Sequence, residues 1–527
     1  MVVVTSSKKP SETNQPSAVA PERKQERVSR AARNILSNWV TYLASGIVSF
    51  FLSPYVVRHL GNSGYGVWVL LVSLTGYMGF LDLGIRGAVT RYIAKFHSLK
   101  DHESSSRVVS SACGIFLTLG MFAVMFGFLF SLFAVPHFQI PPEFVRPAQI
   151  VVVITGLTVA SSLISGVFGG VLVGLQRFEL INSIALGVLV ARSTAILLAL
   201  RSGKGLITLA FIQLAATLAE LGLGFLLSLR LYPDARLSIS KADWEHVKLV
   251  FSFGLFALLL QLSNYLIFYT DALVIGAFLP VGMVTFFAIG GNLTIYARDL
   301  VSGVTRTMTP LASRLEVEAS KSRLQETTLK AGKYCSLAML PIFVTFLLRG
   351  HTFIGLWMGT SYADLSGRVL TILSLPWLIG SGGSIVGAVM LGISKHKNVV
   401  PVAAAEGLSN LALSVGLIHS YGIIGVAWGT AIPNLAVSLL FWPWYAHRIL
   451  GISFARYASA LWIRPLLAAI PFAVCTALLE RFSRPSSLIG FFLQVGLALP
   501  AIALGVWLIG LTTVERRSHQ GRLFKTA

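Results

Sequence analysis

The stretch ALGVLVARSTAILLAL, residues 185–200, is apolar apart from two small hydroxyl side chains and one permanent charge, Arg192. Such a run is typical of a helix that crosses a lipid bilayer, because about 20 apolar residues span the hydrocarbon core. A charged side chain near the middle of such a helix is costly and marks a functional position by default. The stretch therefore predicts a membrane protein and singles out Arg192 for explanation.

The whole chain has the composition of an integral membrane protein. Of its 527 residues, 55% are hydrophobic and 12% are charged, and the mean hydropathy is +0.75. Because the long apolar windows are continuous rather than alternating, they indicate helices and not barrel strands. We predict an all-α, polytopic fold with about fourteen transmembrane helices. The windows are 35–57, 65–85, 109–134, 148–174, 180–200, 206–229, 249–279, 283–305, 334–355, 369–392, 399–419, 423–445, 465–480 and 488–511.

The basic residues are distributed unevenly between the two sides of these helices. With the N-terminus placed in the cytoplasm, 33 of the 42 Lys and Arg residues lie in cytoplasmic segments and eight lie in external ones. Cytoplasmic loops of membrane proteins carry such an excess. We therefore expect a multi-pass protein of the cell inner membrane with both termini in the cytoplasm. Because this bias accounts for the net charge of +21, we predict no nucleic-acid partner.

The loops and motifs argue against catalysis. The longest external loop, VPHFQIPPEFVRP (135–147), is too short for a catalytic domain, and the chain has no nucleotide-binding or hydrolase motif. The three cysteines stand singly and without metal-ligand spacing. We expect a protein that is not an enzyme and has no metal site and no cofactor, apart from a coupling H⁺ or Na⁺.

Two windows in opposite halves of the chain share a layout. The second window reaches Asp82 and is followed by Arg86, and the eighth window reaches Arg298 and Asp299 at a similar depth. Internal repeats of this kind are typical of secondary transporters, whose substrate path lies between the repeats. The predicted organisation is a disordered basic tail (1–34), a six-helix N-terminal lobe (35–240), a six-helix C-terminal lobe (241–450), two further helices (451–511) and a second cytoplasmic tail (512–527).

Five segments carry a combination that is specific to one family. They are LGNSGYGVWVLLVSLTGYMGFLDLGIRGAVTRYIAKF (60–96), VGLQRFELIN (173–182), TDALVIGAFLPVGMVTFFAIGGNL (270–293), LGISKHKN (391–398) and YGIIGVAWGTAIPNL (421–435). Together they resemble the Wzx-type polysaccharide flippases of the multidrug/oligosaccharidyl-lipid/polysaccharide (MOP) exporter superfamily. The resemblance covers residues 35–450 and implies two six-helix lobes that form an inverted V around a central cleft. It also implies that an undecaprenyl-diphosphate-linked oligosaccharide, such as an O-antigen, capsule or exopolysaccharide repeat unit, moves from the inner to the outer leaflet by alternating access.

Such a cargo explains a cation within the membrane. Because hydrocarbon rejects a diphosphate and sugars, the cargo requires a hydrated cleft with cationic groups. We predict that Arg192 binds the diphosphate through its fork of donors, and that Arg86 and Arg298 meet it near the cytoplasmic boundary. Asp271 is expected at the depth of Arg192, as a cargo or ion site that pairs with Arg192 in one conformation.

Coupling to an ion gradient would use acidic groups within the membrane. Glu406 and Asn410 are one helical turn apart and share a face, so we predict that they bind a coupling H⁺ or Na⁺. The ion-coupling candidates are Asp271, Glu406, Asn410, Asp299, Glu220 and Asp82. Arg349 and Arg58, near outer helix ends, are expected to snorkel outward.

Other functions stay open at this point. A cation-coupled exporter of drugs or metabolites, or a flippase for a lipid-linked peptidoglycan precursor, would share the fold. A polysaccharide polymerase or ligase would also be polytopic, but it should carry a large external loop, which is absent from this sequence. The expected partners are the lipid-linked oligosaccharide, membrane lipids and other polysaccharide-assembly proteins.

Overall fold

A computed structural model describes residues 21–233, 265–267, 269–318, 320–395, 397–511 and 515–516, with side chains from residue 40 onward. Within these ranges every regular element is helical. The helices are α1 (Pro21–Met78), α2 (Ile85–Leu99), α3 (His102–Phe133), α4 (Pro142–Gly174), α5 (Phe178–Arg201), α6 (Leu206–Leu231), α7 (Thr270–Phe278), α8 (Gly282–Val317), α9 (Lys321–Trp357), α10 (Thr360–Gly392), α11 (Val399–Ala436), α12 (Trp442–Leu450), α13 (Phe454–Ala458), α14 (Arg464–Phe482) and α15 (Leu488–Gly505). One π-helical turn joins α11 to α12, and another joins α13 to α14.

Two of these helices, α1 and α11, each contain two predicted spans. In α11 the chain reverses at Gly422, which has a φ of 59°. The reversal brings Asn434 Nδ2 within 2.9 Å of Glu406 Oε1, although a straight helix would separate these residues by about 42 Å. α1 is interrupted in the same way at Gly61, with a φ of 68°. Glycine adopts positive φ values at little cost, so it permits a one-residue reversal between two helices.

The observed helices confirm the predicted fold class. In the described part of the chain, ten helical stretches are long and apolar enough to cross a membrane, and two of them, Val40–Asp82 and Val399–Leu450, contain the reversals. α8 is also long enough to cross, and α7 belongs to a window of which only part is described. Each of the fourteen predicted windows therefore contains described helix. The chain is an all-α, multi-pass membrane protein.

The N-terminal part departs from the prediction in two places. α1 begins at Pro21, inside the segment expected to be a disordered tail, and residues 1–20 lie outside the described residues. Proline at the first helical position and the Glu-, Arg- and Lys-rich sequence after it both favour a helix start. The window 65–85 is not one helix, because left-handed backbone at Leu83 and Gly84 separates α1 from α2.

Small residues of α4 allow α2 to pack closely against it. A side chain on Gly166 would occupy the position of the Arg86 guanidinium, and one on Gly170 would lie 3.2 Å from the Arg86 carbonyl oxygen. One on Gly174 would come within 2.9 Å of the Ile93 side chain. These glycines therefore serve helix packing, because only a missing Cβ lets two helices approach so closely.

Among the described residues, the two halves of the chain share a hydrophobic core at one end of the molecule only. In that core, Leu70 of α1 lies in the same cluster as Ile275 of α7. Toward the other end, the cluster around Ile93 contains only N-terminal residues, and the cluster around Tyr445 contains only C-terminal ones. A cleft between the halves therefore opens at this second end, which carries the strongly basic loops and is cytoplasmic in the predicted topology.

The prediction that Arg349 snorkels outward is wrong. Its side chain is fully buried, with Nε donating to Glu480 Oε2 at 2.8 Å and Nη2 donating to Gln494 Oε1 at 2.6 Å. The guanidinium also lies over the Phe491 ring, 4.7 Å from its centroid. Because α14 and α15 supply these partners, the charge is compensated inside the protein and does not need to reach the surface.

A second buried ion pair attaches the C-terminal segment to the same helix. Lys333 Nζ lies 2.6 Å from Glu515 Oε2, and both side chains are largely buried. Lys333 and Arg349 are separated by about 24 Å along α9, since a helix rises 1.5 Å per residue. The C-terminal helices are thus held against α9 at both ends, with an apolar contact that includes Leu340 and Phe472 between them.

Candidate functional site

Three adjoining cavities share lining residues; one lies between the N-terminal half and Tyr265 and Tyr269, and the other two are lined by the C-terminal half. The Arg192 cavity has a volume of about 400 Å³ and lies among α1, α4, α5 and α6. The Arg298 cavity has a volume of about 660 Å³ and lies between α8 and α10. The Glu406 cavity, of about 260 Å³, lies between α10 and the α11 hairpin. Each cavity is named after one charged residue in its lining.

Arg192 faces its cavity with one neutral hydrogen-bond partner. Its Nη1 donates to Gln213 Oε1 on α6 at 3.0 Å, and within the described ranges no carboxylate forms an ion pair with it. Glu220, two helical turns further along α6, lies within electrostatic range of Arg192 and Arg86 without forming an ion pair with either among these residues. The positive charge of Arg192 is therefore not neutralised by direct contact, and it is available to an anion in the cavity.

Asp271 does not pair with Arg192 in this conformation, and their pairing in another conformation stays a prediction. Its two carboxylate oxygens lie 2.8 and 3.0 Å from Thr430 Oγ1, and the residue is 6% exposed. Asn410 Nδ2 donates to the same Thr430 oxygen at 3.2 Å and to the Ile267 carbonyl at 3.3 Å. The α11 hairpin brings a hydroxyl from one arm to the carboxylate of α7.

Glu406 and Asn410 share a face of α11, as predicted, but they have different partners. Glu406 Oε1 accepts a hydrogen bond from Asn434 at 2.9 Å and lines the Glu406 cavity, whereas Asn410 is buried beside Thr430. Thr430 and Asn434 are also one turn apart, so the two arms of the hairpin form two adjacent polar cross-links. Glu406 and Asn410 therefore belong to two separate carboxylate sites. Glu406 is the carboxylate of one, and Asn410 shares Thr430 with Asp271, the carboxylate of the other.

Arg298 lines the largest of the three cavities. Its Nη2 lies 3.5 Å from Asp299 Oδ1, and the side chains are 23% and 46% exposed, respectively. Arg306, about two turns further along α8, lines the same cavity. Because Asp299 is the more exposed member of the pair, water weakens their attraction. This cavity thus presents two arginines at its surface.

Arg86 lies outside these three cavities, at the start of α2. Its Nε is 3.5 Å from Asp82 Oδ2, and its Nη2 donates to the Ser162 carbonyl of α4 at 3.4 Å. The side chains of Arg86 and Asp82 are 48% and 31% exposed. The pair has the spacing and exposure of a helix-end ion pair, and the missing side chain at Gly166 makes space for the guanidinium.

Aromatic residues join the cavities to one another. Tyr265 and Tyr269 line both the Arg192 and the Arg298 cavities, and Trp377 lines both the Arg298 and the Glu406 cavities. Gly76 of α1 and Gly79, just after α1, make space for the two tyrosine side chains, because a Cβ at either position would collide with them. Arg192, Arg298 and Glu406 therefore lie along one continuous internal surface, separated by aromatic side chains.

Sequence reasoning missed these linking residues, although a signal for them was present. Tyr265 and Tyr269 are four residues apart in an apolar window, so they share a helix face. Thr430 and Asn434 have the same spacing within the quoted segment 421–435. Two side chains with polar ends, four residues apart in an otherwise apolar segment, are the pattern that predicts such linking residues.

The cavities are closed toward the outer end of the predicted topology. Asn62 accepts a hydrogen bond from Thr285 at 2.7 Å through its carbonyl and one from Tyr362 at 2.5 Å through its side chain. Gly66 lies directly against the Val281 carbonyl. These contacts join the N-terminal and C-terminal halves, whereas the opposite ends have separate cores. The conformation is therefore inward-facing if the basic loops are cytoplasmic.

Comparison with known proteins identifies the fold. A multidrug resistance MATE family transporter of the MOP superfamily, in its inward-facing conformation, matches with a TM-score of 0.66 at 16% identity, over 78% of this chain and 98% of that chain. The lipid II flippase MurJ, in an inward closed conformation, matches with a TM-score of 0.71 at 14% identity, over 89% of this chain and 98% of that chain. The class is thus a multi-pass membrane protein with the fold of MOP-superfamily transporters.

The sequence comparisons name the family. A Shigella flexneri protein named as an O-antigen transporter is 19% identical over 430 residues, which is 80% of this chain and 98% of that protein. The family described as polysaccharide biosynthesis protein matches residues 31–316, more than half of the chain. The chain belongs to this family. The resemblance seen in the sequence segments is confirmed.

Proposed function

We propose that the protein flips an undecaprenyl-diphosphate-linked oligosaccharide from the inner to the outer leaflet of the cell membrane by alternating access. Family membership and the likeness to an O-antigen transporter support a role in moving a lipid-linked glycan. The likeness to a lipid II flippase supports a fold suited to such cargo. The inward-facing state would receive cargo from the cytoplasmic leaflet, with both termini in the cytoplasm.

The observation that carries the proposal is Arg192 in a cavity between the halves, hydrogen-bonded to a neutral amide. A guanidinium in this setting can bind phosphate oxygens through two parallel hydrogen bonds, which are among the stronger ones in proteins. Arg298 and Arg306 would provide cationic groups in the next cavity, with Tyr265 and Tyr269 between the two sites. A diphosphate would thus meet cationic groups on both sides of the tyrosines, while its lipid tail remained in the bilayer.

The same arrangement disfavours an exporter of cationic drugs. A cationic cargo would require carboxylates facing it, but Asp271 is buried against Thr430, and Glu406 lines a cavity next to the Arg298 cavity and not the Arg192 or Arg298 cavity itself. Like charges facing each other cost free energy, so arginines in the Arg192 and Arg298 cavities would repel such a cargo. An anionic lipid-linked cargo therefore fits the charges better.

The two carboxylate sites are suited to ion coupling. Asp271 and Glu406 each contact a neutral hydroxyl or amide, and neither forms an ion pair with a basic residue in the described chain. A carboxylate without a fixed cation can take up H⁺ or Na⁺ and release it when the helices move. Trp377, shared by the Glu406 and Arg298 cavities, would transmit such a movement to the cargo path.

The test is surface polysaccharide, normalised to the amount of membrane protein, in cells whose own copy of the gene is deleted. We expect Arg192→Ala to reduce it by about ten- to a hundredfold, because a hydrogen bond to a charged group contributes about 1.5–3 kcal/mol. Arg192→Lys should restore it in part, since the charge remains but the fork is lost.

Arg201→Ala is the matched control, because Arg201 lies at the exposed end of the same helix. It should leave the amount of surface polysaccharide unchanged. Full surface polysaccharide in cells with Arg192→Ala would contradict phosphate binding at this residue. A change in resistance to cationic drugs, with unchanged polysaccharide, would favour the exporter instead.

A further inference from the structure

A fourth basic cavity lies away from the central cleft, where α9 meets α13 and α14. Its volume is about 400 Å³, and the segment after α15 contributes one of its walls through Glu515. It is separate from the three cavities described above and shares no lining residue with them. Its charged lining residues are Glu326, Lys330, Lys333, Arg456, Arg464 and Glu515.

Two of its four cations are neutralised by carboxylates and two are not. Lys330 Nζ lies 2.6 Å from Glu326 Oε1, and Lys333 Nζ lies 2.6 Å from Glu515 Oε2. Arg456 and Arg464 form no ion pair with any carboxylate that the structure describes. The cavity therefore has an excess of two positive charges, both of them arginines.

A π-helical turn helps to bring these arginines to the same cavity. Arg456 and Arg464 are eight residues apart, and in a regular α-helix they would be rotated by about 80° relative to each other. The wider turn over Ser459–Ile463 lies between them, and Ser459 itself lines the cavity. Such turns are rare and occur frequently at functional sites. Both arginines consequently line one space of suitable size for a single phosphate-bearing group.

The cavity lies at the depth of lipid headgroups. Arg464 immediately precedes the apolar window 465–480, and Lys333 immediately precedes the apolar window 334–355. The charged lining thus begins where two membrane spans end. Basic pockets between transmembrane helices at this depth bind anionic lipid headgroups, and arginine forks match phosphate oxygens.

We propose that this cavity binds the phosphate headgroup of an anionic membrane phospholipid through Arg456 and Arg464. The lipid would occupy the junction between α9 and the C-terminal helices, beside the Lys333–Glu515 ion pair. Its acyl chains would extend along the apolar surfaces of α9 and α14. The site is independent of the cargo path, because it would bind a lipid of the surrounding membrane.

The experiment is a titration of the purified full chain, in neutral detergent, with phosphatidylglycerol, with phosphatidylcholine or with inorganic phosphate. Retained lipid is counted by native mass spectrometry, and the unfolding temperature is followed in parallel. Phosphatidylglycerol should bind and raise the unfolding temperature, and the other two should not. We expect Arg456→Gln/Arg464→Gln to weaken phosphatidylglycerol binding on the order of ten- to thirtyfold, since each basic residue near the membrane surface strengthens the binding of an anionic lipid about fivefold.

Arg481→Gln/Arg484→Gln is the matched control, because it removes two basic residues from the opposite end of the same helix region. It should retain the phosphatidylglycerol affinity of the unaltered protein. The single change Arg464→Gln, expected to weaken binding about fivefold, provides the test if the double variant does not fold. Unchanged phosphatidylglycerol affinity in the arginine variants would overturn the proposal. An equal stabilisation by inorganic phosphate would overturn the lipid as the ligand.

Discussion

Arg192 and Arg349 lie in opposite environments within the membrane-spanning region. Arg192 lines a cavity, and Arg349 lies where α14 and α15 pack against α9. Arg349 is fully enclosed, with a carboxylate, an amide oxygen and an aromatic face around its guanidinium. Arg192 is half-buried beside a cavity, with the amide of Gln213 as its hydrogen-bond partner. Both lie in long apolar helices, and the two runs of sequence around them look alike.

The partners of the two guanidinium groups distinguish an arginine that stabilises the fold from one that can bind a ligand. A buried arginine whose charge is matched by a fixed carboxylate has no net charge to offer a ligand, and removing it leaves that carboxylate uncompensated. An arginine beside a cavity with a neutral partner retains its charge for a mobile anion. The number of fixed partners, and not burial alone, therefore indicates which intramembrane charge can bind cargo.

The largest effect on stability is expected at Arg349. Arg349→Ala should lower the free energy of unfolding by about 3–5 kcal/mol, because it leaves the Glu480 carboxylate partly buried without its main partner. The unfolding temperature of the purified protein and its level in the membrane measure this effect. The double variant Arg349→Met/Glu480→Gln should recover most of the loss, since it restores volume and removes the charge.

Arg368→Ala is a suitable comparison for Arg349→Ala. Arg368 forms an exposed ion pair with Asp364, so its removal should cost less than about 1 kcal/mol. Equal unfolding temperatures for the Arg349 and Arg368 variants would show that the pairing of Arg349 does not hold the C-terminal helices.

An intermediate effect is expected at Thr430, where a hydroxyl links a carboxylate to an amide. Thr430→Val should cost about 1–3 kcal/mol, because Asp271 and Asn410 lose their shared partner in a buried site. Thr430→Ser keeps the hydroxyl and should remain much closer to the unaltered protein. The measurement is again the unfolding temperature of both variants. A valine variant as stable as the serine variant would mean that water or an ion replaces the hydroxyl.

The smallest effect on stability is expected at Arg192. Arg192→Ala should change the free energy of unfolding by less than about 1 kcal/mol, because it removes one hydrogen bond with a neutral partner beside an accessible cavity. The same variant should show the loss of surface polysaccharide described above. Destabilisation as large as that of Arg349→Ala would remove the distinction between the two arginines and assign Arg192 a structural role.

Much of the fold could be predicted because membrane insertion depends on local properties of the chain. The all-α class and the fourteen spans follow from runs of apolar residues, since the bilayer leaves backbone groups no partner outside a helix. The break between α1 and α2 was not predicted. It depends on left-handed backbone at Leu83 and Gly84 and on the packing of α2 against the glycines of α4.

Less of the candidate site could be predicted, because its residues come from distant parts of the chain. The sequence identifies the charged residues and their approximate depth, including Arg192, Asp271 and Glu406. It does not identify their partners, since Asp271 and Thr430 are 159 residues apart and Arg349 and Glu480 are 131 residues apart. The predicted pairing of Arg192 with Asp271 rests on their equal depth in the membrane, and equal depth alone does not decide which residues are in contact.

The sequence by itself determined that this is a membrane protein, how many times it spans the bilayer and where charge lies within the spans. It also determined the family, through segments that lie in several helices. Only the tertiary structure decided that Arg192 faces a cavity while Arg349 is enclosed. The physical reason is that hydropathy is a property of one helix, whereas the partner of a buried charge depends on which faces of different helices pack together.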